Sequence, residues 1–159
     1  VLHVYAADAY KVWPPEKARA LLQRAAAALP RFAIVLTGSQ ADRQRLERLV
    51  SGMPGITNYA GCLDVAETGA LLAGARCVVA PDTGVAHLAA AVEAPVVALY
   101  APTFAKLIGP RPRTREVVVI QKPQTCDPCV EKNCPYTPVK CMDQIGVDEV
   151  LGALTRVLH

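Results

Sequence analysis

Asp82, Thr83 and Gly84 stand between two apolar runs, Cys77-Val78-Val79-Ala80 before them and Val85 to Val92 after them. The first run has the composition of a short buried strand, which Pro81 stops. The second reads as a helix apolar on most sides, with His87 as its polar interruption. Asp82 and Thr83 are good N-cap types, because their side-chain oxygens can accept from the free N–H groups of the next turn. A link of this kind, from the carboxyl end of a strand to the amino end of a helix, is suited to holding anions, phosphate above all. Gly84 carries no side chain to block the approach of a ligand to the backbone. The same three residues would also serve a plain capped helix start. His87 lies one helical turn on, facing the same way as Thr83 and Gly84. It suits either a ligand contact or a buried histidine bonded at the sheet edge. Lys11 precedes another helix at the carboxyl edge of a strand, where it is either solvated or a point charge for a phosphate.

A second cluster with chemical capacity is Cys126-x2-Cys129-x4-Cys134-x6-Cys141. Four thiols this close could close a tetrahedral zinc site. The spacing matches no common ferredoxin pattern. Two disulfides would need an oxidising compartment, and four reduced thiols in a small hairpin also fit. No histidine stands nearby to act as a base, and a closed four-thiolate site leaves no open coordination position. The segment therefore reads as structural. Cys62 and Cys77 are isolated in apolar surroundings and read as buried thiols.

The elements that must position these groups alternate. Val1 to Ala6 is a strand, and Trp13-Pro14-Pro15-Glu16 opens a helix with an apolar stripe of Ala18, Leu21, Leu22, Ala25, Ala28 and Leu29. Phe32 to Thr37 is a strand, Gly38-Ser39-Gln40-Ala41-Asp42 a turn, and Arg43 to Val50 a helix with Leu46, Leu49 and Val50 inward. Ile56 to Ala60 is a strand, followed by the Gly61-Cys62-Leu63 turn. Asp64-Val65-Ala66-Glu67 is a capping box for a helix ending at Ala73, with Gly74 as its C-terminal cap. Pro95 ends the helix of the central unit, and Val96 to Tyr100 is a buried strand. Phe104 to Arg115 reads as a surface loop bearing Lys106, Arg111, Arg113 and Arg115. Glu116 to Gln121 is the last strand, and Val147 to Leu158 a closing helix with Val150, Leu151, Leu154 and Leu158 on one face. Strand–helix–strand units of this length imply parallel strands with right-handed crossovers, and so an α/β, doubly wound parallel sheet.

With 159 residues, 52% of them hydrophobic, the chain can bury one domain's core and is not disordered. The net charge of +3 suits anionic ligands, and with no basic stripe interleaved with aromatics it gives no case for nucleic acid. No apolar run reaches the roughly 20 residues that span a bilayer. The first residues lack the basic start and apolar core of a signal peptide. They also lack an initiator Met, as a piece of a longer protein would.

The run from Asp82 to Ala91, followed by Pro95 to Tyr100 and Pro102-Thr103, resembles the signature of glycosyltransferase family 9. These are the bacterial heptosyltransferases of lipopolysaccharide inner-core synthesis. Lys11-Val12-Trp13-Pro14 and Thr37-Gly38-Ser39 are similar to two further elements of that family, and the cysteine spacing followed by Met142 and a last helix recurs in many members. The resemblance covers essentially the whole chain. It implies a Rossmann-like domain, the C-terminal donor-binding half of a GT-B glycosyltransferase, over residues 1–159.

On this resemblance the domain binds an ADP-sugar, usually ADP-heptose, and the sugar moves with inversion to a lipopolysaccharide core acceptor. The acceptor surface and the aspartate general base belong to an N-terminal half that has no counterpart here. The fragment alone would then hold donor without turnover, and no cofactor is required for the chemistry. Lys11 would meet the diphosphate, Thr83 and Gly84 would present backbone N–H groups to it, Asp82 would contact sugar hydroxyls or orient the turn, and His87 could reach the donor. Gly61, Cys62 and Leu63 would border the adenine, next to the Gly38-Ser39 loop, with Gln40 near the ribose. The resemblance places the full-length protein in the cytoplasm, at the inner face of the bacterial inner membrane. Ala6, Ala7, Glu93 and Ala101 depart from it, standing where glycine is common in the family. Two other classes fit the same residues: a non-catalytic interaction module stapled by zinc at its cysteines, and another GT-B nucleotide-sugar enzyme such as an epimerase, which would need more carboxylates in the cleft.

Overall fold

A computed structural model describes residues 1–111, 116–126, 129 and 131–158. Six strands form one parallel sheet: β1 (Leu2–His3), β2 (Ile34–Thr37), β3 (Ile56–Asn58), β4 (Val78–Pro81), β5 (Val96–Tyr100) and β6 (Val117–Gln121). Their order is β3-β2-β1-β4-β5-β6. The helices are α1 (Pro15–Ala28), α2 (Arg43–Leu49), α3 (Val65–Ala73), α4 (Gly84–Ala91), α5 (Ala105–Ile108), α6 (Lys140–Asp143) and α7 (Val147–Leu158), with short 3-10 turns at Ala9–Lys11, Gln40–Asp42 and Glu131–Asn133.

The strands' near-continuous apolar runs reflect burial on both faces. Side chains alternate across the sheet. Val79, Val97 and Leu99 join Leu2, Leu36 and residues of α1, α2 and α7 in one core. Val78, Ala80, Val96, Ala98 and Tyr100 join Leu72, Ala86 and Ala89 in a second core on the other face. The doubly wound sheet expected from the sequence is thus formed, and strand order reverses between β1 and β4. In open α/β sheets that reversal opens a crevice at the carboxyl ends of the strands.

The sequence and structure differ in ways that shape this crevice. β1 pairs only at Leu2 and His3, not through Ala6. β4 ends at Pro81 as expected, with the proline itself the last rung, in register with Leu99. Val78 donates its N–H toward β5 and Val79 toward Val1 on the β1 side. By alternation the Pro81 nitrogen faces β1, and having no hydrogen it cannot extend that ladder. β1 and β4 therefore part where the site begins.

The helices follow their signals closely. Pro15 and Glu16 start α1, which buries Ala18, Leu21, Leu22 and Ala25, while Ala28 is exposed and Leu29 caps the end. Asp64 and Glu67 form the expected capping box on α3, and Gly74 caps it with right-handed geometry. The helix after Asp82 is less enclosed than its composition suggests: Gly84, His87 and Ala91 are exposed. It closes with Glu93 donating to the Ala90 carbonyl and Ala94 to that of Ala89, with Glu93 at φ 61°. This is a Schellman ending with glutamate in the position that glycine favours. The Phe104–Arg115 loop contains α5, and its Arg113 and Arg115 lie outside the described residues. Cys77 is buried, but Cys62 is exposed, because it sits in the turn beyond β3 rather than in the sheet.

Among the described residues no helix is long and apolar enough to cross a membrane.

Candidate functional site

Lys11 and Asp82 approach each other from the two sides of the crevice. The Lys11 ammonium lies 2.9 Å from Asp82 Oδ2 and 3.9 Å from Asp8 Oδ2. Lys11 ends the 3-10 turn after β1, and the next residues hold that turn in place. Trp13 is buried and donates from its indole nitrogen to the Ile145 carbonyl at 3.1 Å. Lys17 pairs with Asp143 at 2.7 Å. The lysine-bearing loop is thereby tied to the segment leading into α7.

Asp82 is 6% exposed. Its Oδ2 also accepts from Thr103 Oγ1 at 2.9 Å. Burial alone would lower the Lys11 pKa, but the hydrogen bond and charge of Asp82 outweigh it and hold the ammonium above its ordinary value. Asp82 is thus committed to its neighbours and does not cap α4. Thr83 occupies the N-cap position without a side-chain cap, its hydroxyl donating instead to the Pro81 carbonyl at 3.2 Å. The amides of Thr83, Gly84 and Val85 make no hydrogen bond among the described residues. They are the orphan donors of a helix start.

Three glycines of the expected site differ in why they are glycine. A Cβ on Gly38 would stand 3.0 Å from Asp42 Cβ and 3.1 Å from Leu46 Cδ1. One on Gly61, at φ 71°, would fall 2.7 Å from the Gln40 Cα. Both are explained by packing. A Cβ on Gly84 would meet nothing within 4 Å. Nothing among the described residues asks for glycine there.

The two nucleotide loops expected from the sequence are brought together. Gly61 donates to the Gly38 carbonyl at 3.0 Å, and Gln40 packs on Gly61. Asp42 accepts from both the amide and the hydroxyl of Ser39, at 2.9 and 2.6 Å, and pairs with Arg45. Burial works against its charge, but the Ser39 bonds and Arg45 prevail and hold its carboxyl below the usual range. Arg43 reaches across to the Ala60 carbonyl at 3.0 Å and to Cys62 Sγ at 2.7 Å. Leu63 is half-buried beside them. His87 is exposed and without a hydrogen bond among the described residues, so the alternative of a buried, bonded histidine is overturned: its face of α4 turns away from the sheet.

Cys126, Cys129, Cys134 and Cys141 border one small cavity of about 20 Å³ together with Tyr10, Tyr136 and Lys140. Burial raises the Cys141 pKa, helped by the neighbouring Cys129 and Cys134. Among the described residues no three His, Cys, Asp or Glu side chains are gathered tightly enough to hold a metal ion. A larger, mainly apolar cavity of about 330 Å³ lies at the opposite, amino edge of the sheet, between Leu22, Leu29, Cys77 and Leu158. It has none of the converging donors found at the crevice.

Sequence reasoning missed Thr103, Tyr100 and Arg43. Tyr100 carried a usable signal, a phenol at the carboxyl end of an otherwise aliphatic strand. Arg43 carried none, since its reach across the loops exists only in three dimensions.

Comparison with known proteins agrees with this fold. The lipopolysaccharide heptosyltransferase 1 of Pseudomonas aeruginosa is 38% identical over 103 residues, 65% of this chain and 28% of that protein. The structure of E. coli ADP-heptose lps heptosyltransferase II superposes with a TM-score of 0.80 at 22% identity, covering 99% of this chain and 45% of that one. The E. coli heptosyltransferase WaaC with ADP gives a TM-score of 0.73 at 25% identity, over 98% and 43%. The chain thus spans less than half the length of the relatives it matches. The model of glycosyltransferase family 9 (heptosyltransferase) matches residues 1–140, and with the reversed-order parallel sheet this places the chain in that family.

Proposed function

We propose that this chain is the donor-binding domain of a glycosyltransferase that moves a heptose, or a related sugar, from an ADP-sugar to a lipopolysaccharide inner-core acceptor with inversion. One observation carries the reading: an ammonium group and three amides without a hydrogen bond among the described residues meet at the crevice, beside a glycine whose missing side chain faces open space. A diphosphate is the ligand these groups suit. Lys11 and the amides of Thr83 and Gly84 hold its oxygens, Asp82 meets sugar hydroxyls, and His87 reaches the donor from the next turn. The loops at Gly38-Ser39-Gln40 and Gly61-Cys62-Leu63 border the nucleoside. As an acceptor hydroxyl attacks the anomeric carbon and ADP departs, these donors offset the charge growing on the leaving diphosphate. The relative solved with ADP supports the nucleotide.

The base and the acceptor surface come from an N-terminal half of a longer, cytoplasmic protein that associates peripherally with the membrane. The domain alone therefore binds and does not turn over. No cofactor is required for the chemistry. A structural zinc fits the donor chemistry of the four cysteines. Their shared cavity supports it, but the thiols would have to draw closer around the ion. Zinc analysis of the purified chain decides that point.

Calorimetric titration with ADP and ADP-heptose tests the main reading. Measurable affinity, weakened at least about tenfold in Lys11→Met and unchanged in Lys106→Met on the exposed α5, is the expected result. Each charge-assisted hydrogen bond is worth roughly 1.5–3 kcal/mol, which sets that scale. Absence of binding at millimolar nucleotide, or equal binding by Lys11→Met, overturns it.

A further inference from the structure

Tyr100 is fully buried, and its hydroxyl is a buried side-chain oxygen without a hydrogen-bond partner among the described residues. Such an orphan costs stability, so its presence calls for a reason. Its position supplies one. Pro81 and Leu99 are in register, so Asp82 and Tyr100 follow as neighbours one step on, about 4.8 Å between strand axes. Tyr100 belongs to the even-numbered series that packs on α4, and the Asp82 carboxylate comes near enough to act on its hydroxyl. The Asp82 carboxylate is also only partly used. Its Oδ2 takes Lys11 and Thr103, while Oδ1 accepts no bond among the described residues.

We propose that Tyr100 is a positioning residue for Asp82: when Lys11 leaves the carboxylate for an incoming diphosphate, the Tyr100 hydroxyl takes its place as donor. The exchange follows from what each group can do. Lys11 cannot fully serve a diphosphate and Asp82 at once. A buried carboxylate stripped of its cation needs another donor or it repels the ligand. Thr103 stays on Oδ2 in both states, and Tyr100 supplies the second bond without adding charge. The phenol is suited to remain a donor: burial, then the Asp82 charge and the near approach of its carboxylate to the hydroxyl, push its pKa upward. Empty, the site neutralises itself. Occupied, it releases Lys11 at reduced cost. The ligand's identity rests on the reading of the previous section; the exchange itself rests on geometry.

Two measurements test it, one without any ligand. In a double-mutant cycle by urea denaturation, Tyr100→Phe is expected to leave the folding equilibrium equal or improved in the parent, since only an orphan hydroxyl is lost. In a Lys11→Met background, where Asp82 has already lost its cation, the same change is expected to lower that equilibrium about tenfold. A residue that merely packs would show the same effect in both backgrounds, and that result overturns the proposal. The second arm titrates ADP and inorganic pyrophosphate into Tyr100→Phe alone, and so does not depend on Lys11→Met folding. An affinity about tenfold weaker, with unreduced stability, supports the exchange; unchanged affinity overturns it. If the parent binds neither ligand but the cycle shows coupling, the donor-binding reading and the ligand-driven exchange both fail, and Tyr100 remains a positioning residue for Asp82 alone.

Discussion

Gly84 offers the sharpest separation between a site and a scaffold. It is the first residue of α4, is exposed, and an added Cβ would meet nothing within 4 Å. No positive φ requires glycine there, because the positive-φ glycines are Gly52, Gly55 and Gly61. Replacing it with alanine should therefore not destabilise the fold. The reduced entropy of the unfolded chain and the better helix propensity favour the variant by about 0.5–1 kcal/mol in a helix interior. At the first turn the gain should be less, about 0.5 kcal/mol or below. The methyl group would stand where a diphosphate must approach the amides of Thr83 and Gly84. A ligand oxygen needs to come within roughly 3 Å of those nitrogens, so displacement by even a methyl removes most of the hydrogen-bond contribution. Expected are a Tm equal to or slightly above the parent's by thermal denaturation, and ADP affinity at least about tenfold lower by calorimetry, with Gly84→Val weaker still. The reasoning is refuted if Gly84→Ala loses stability, which would reveal a structural need, or if both variants bind ADP like the parent.

The remaining predictions rest on other parts of the fold. Glu93 holds φ 61° at the end of α4, so Glu93→Gly should exceed Glu93→Ala in stability by about 1 kcal/mol in denaturant melts; comparing two variants that both lack the glutamate side chain isolates the backbone. Gly61→Ala should cost about 2 kcal/mol or more, since the new Cβ meets the Gln40 backbone, and it should weaken nucleotide binding by moving the paired loops. Burial pushes the Cys77 thiol up to about 11. Its folded pKa lies above the unfolded value, so the unfolded chain loses its proton first, and the stabilising contribution present below about pH 8.5 declines as pH rises through about 11. Stability measured from pH 8 to 11 should fall less steeply in Cys77→Ala. In native protein a thiol reagent should modify exposed Cys62 well before buried Cys77 and Cys141.

The amount legible in the sequence differs by level. Strand and helix identities could be read because the driving signals are local. The Asp64–Glu67 capping box, the α1 stripe and the limits of α7 all depend on neighbours within a turn or two. Parallel topology followed from the alternation of elements. Endings were less legible. Pro81 carries a strand to its last rung, because a missing N–H matters only on the side where a partner would accept it. Glu93 adopts a glycine-like conformation because the Ala89 and Ala90 carbonyls need donors after α4. The site was legible as residue types, and its pairing was not. Lys11 and Asp82 are separated by most of the α1-to-β4 chain, and only the strand order β2-β1-β4 brings their ends together.

That strand order bears on how the site works. Lys11 and the Gly38 and Gly61 loops hang from β1, β2 and β3, whereas Asp82, the amides at the start of α4, Tyr100 and Thr103 belong to β4 and β5. The Lys11–Asp82 contact bridges the parting between β1 and β4, at 19% and 6% side-chain exposure. A pair this buried adds little net stability over an apolar substitute, yet losing one partner is costly, on the order of 3–5 kcal/mol for a fully buried pair. On the proposed function, the pair keeps the two sides of the crevice in register and its charge cancelled until an anion arrives. The consequence is asymmetric. Removing Lys11 should harm both stability and binding, whereas removing the Tyr100 hydroxyl should harm binding alone. A purely structural pair would predict no such division, and the division is measurable in the same two variants.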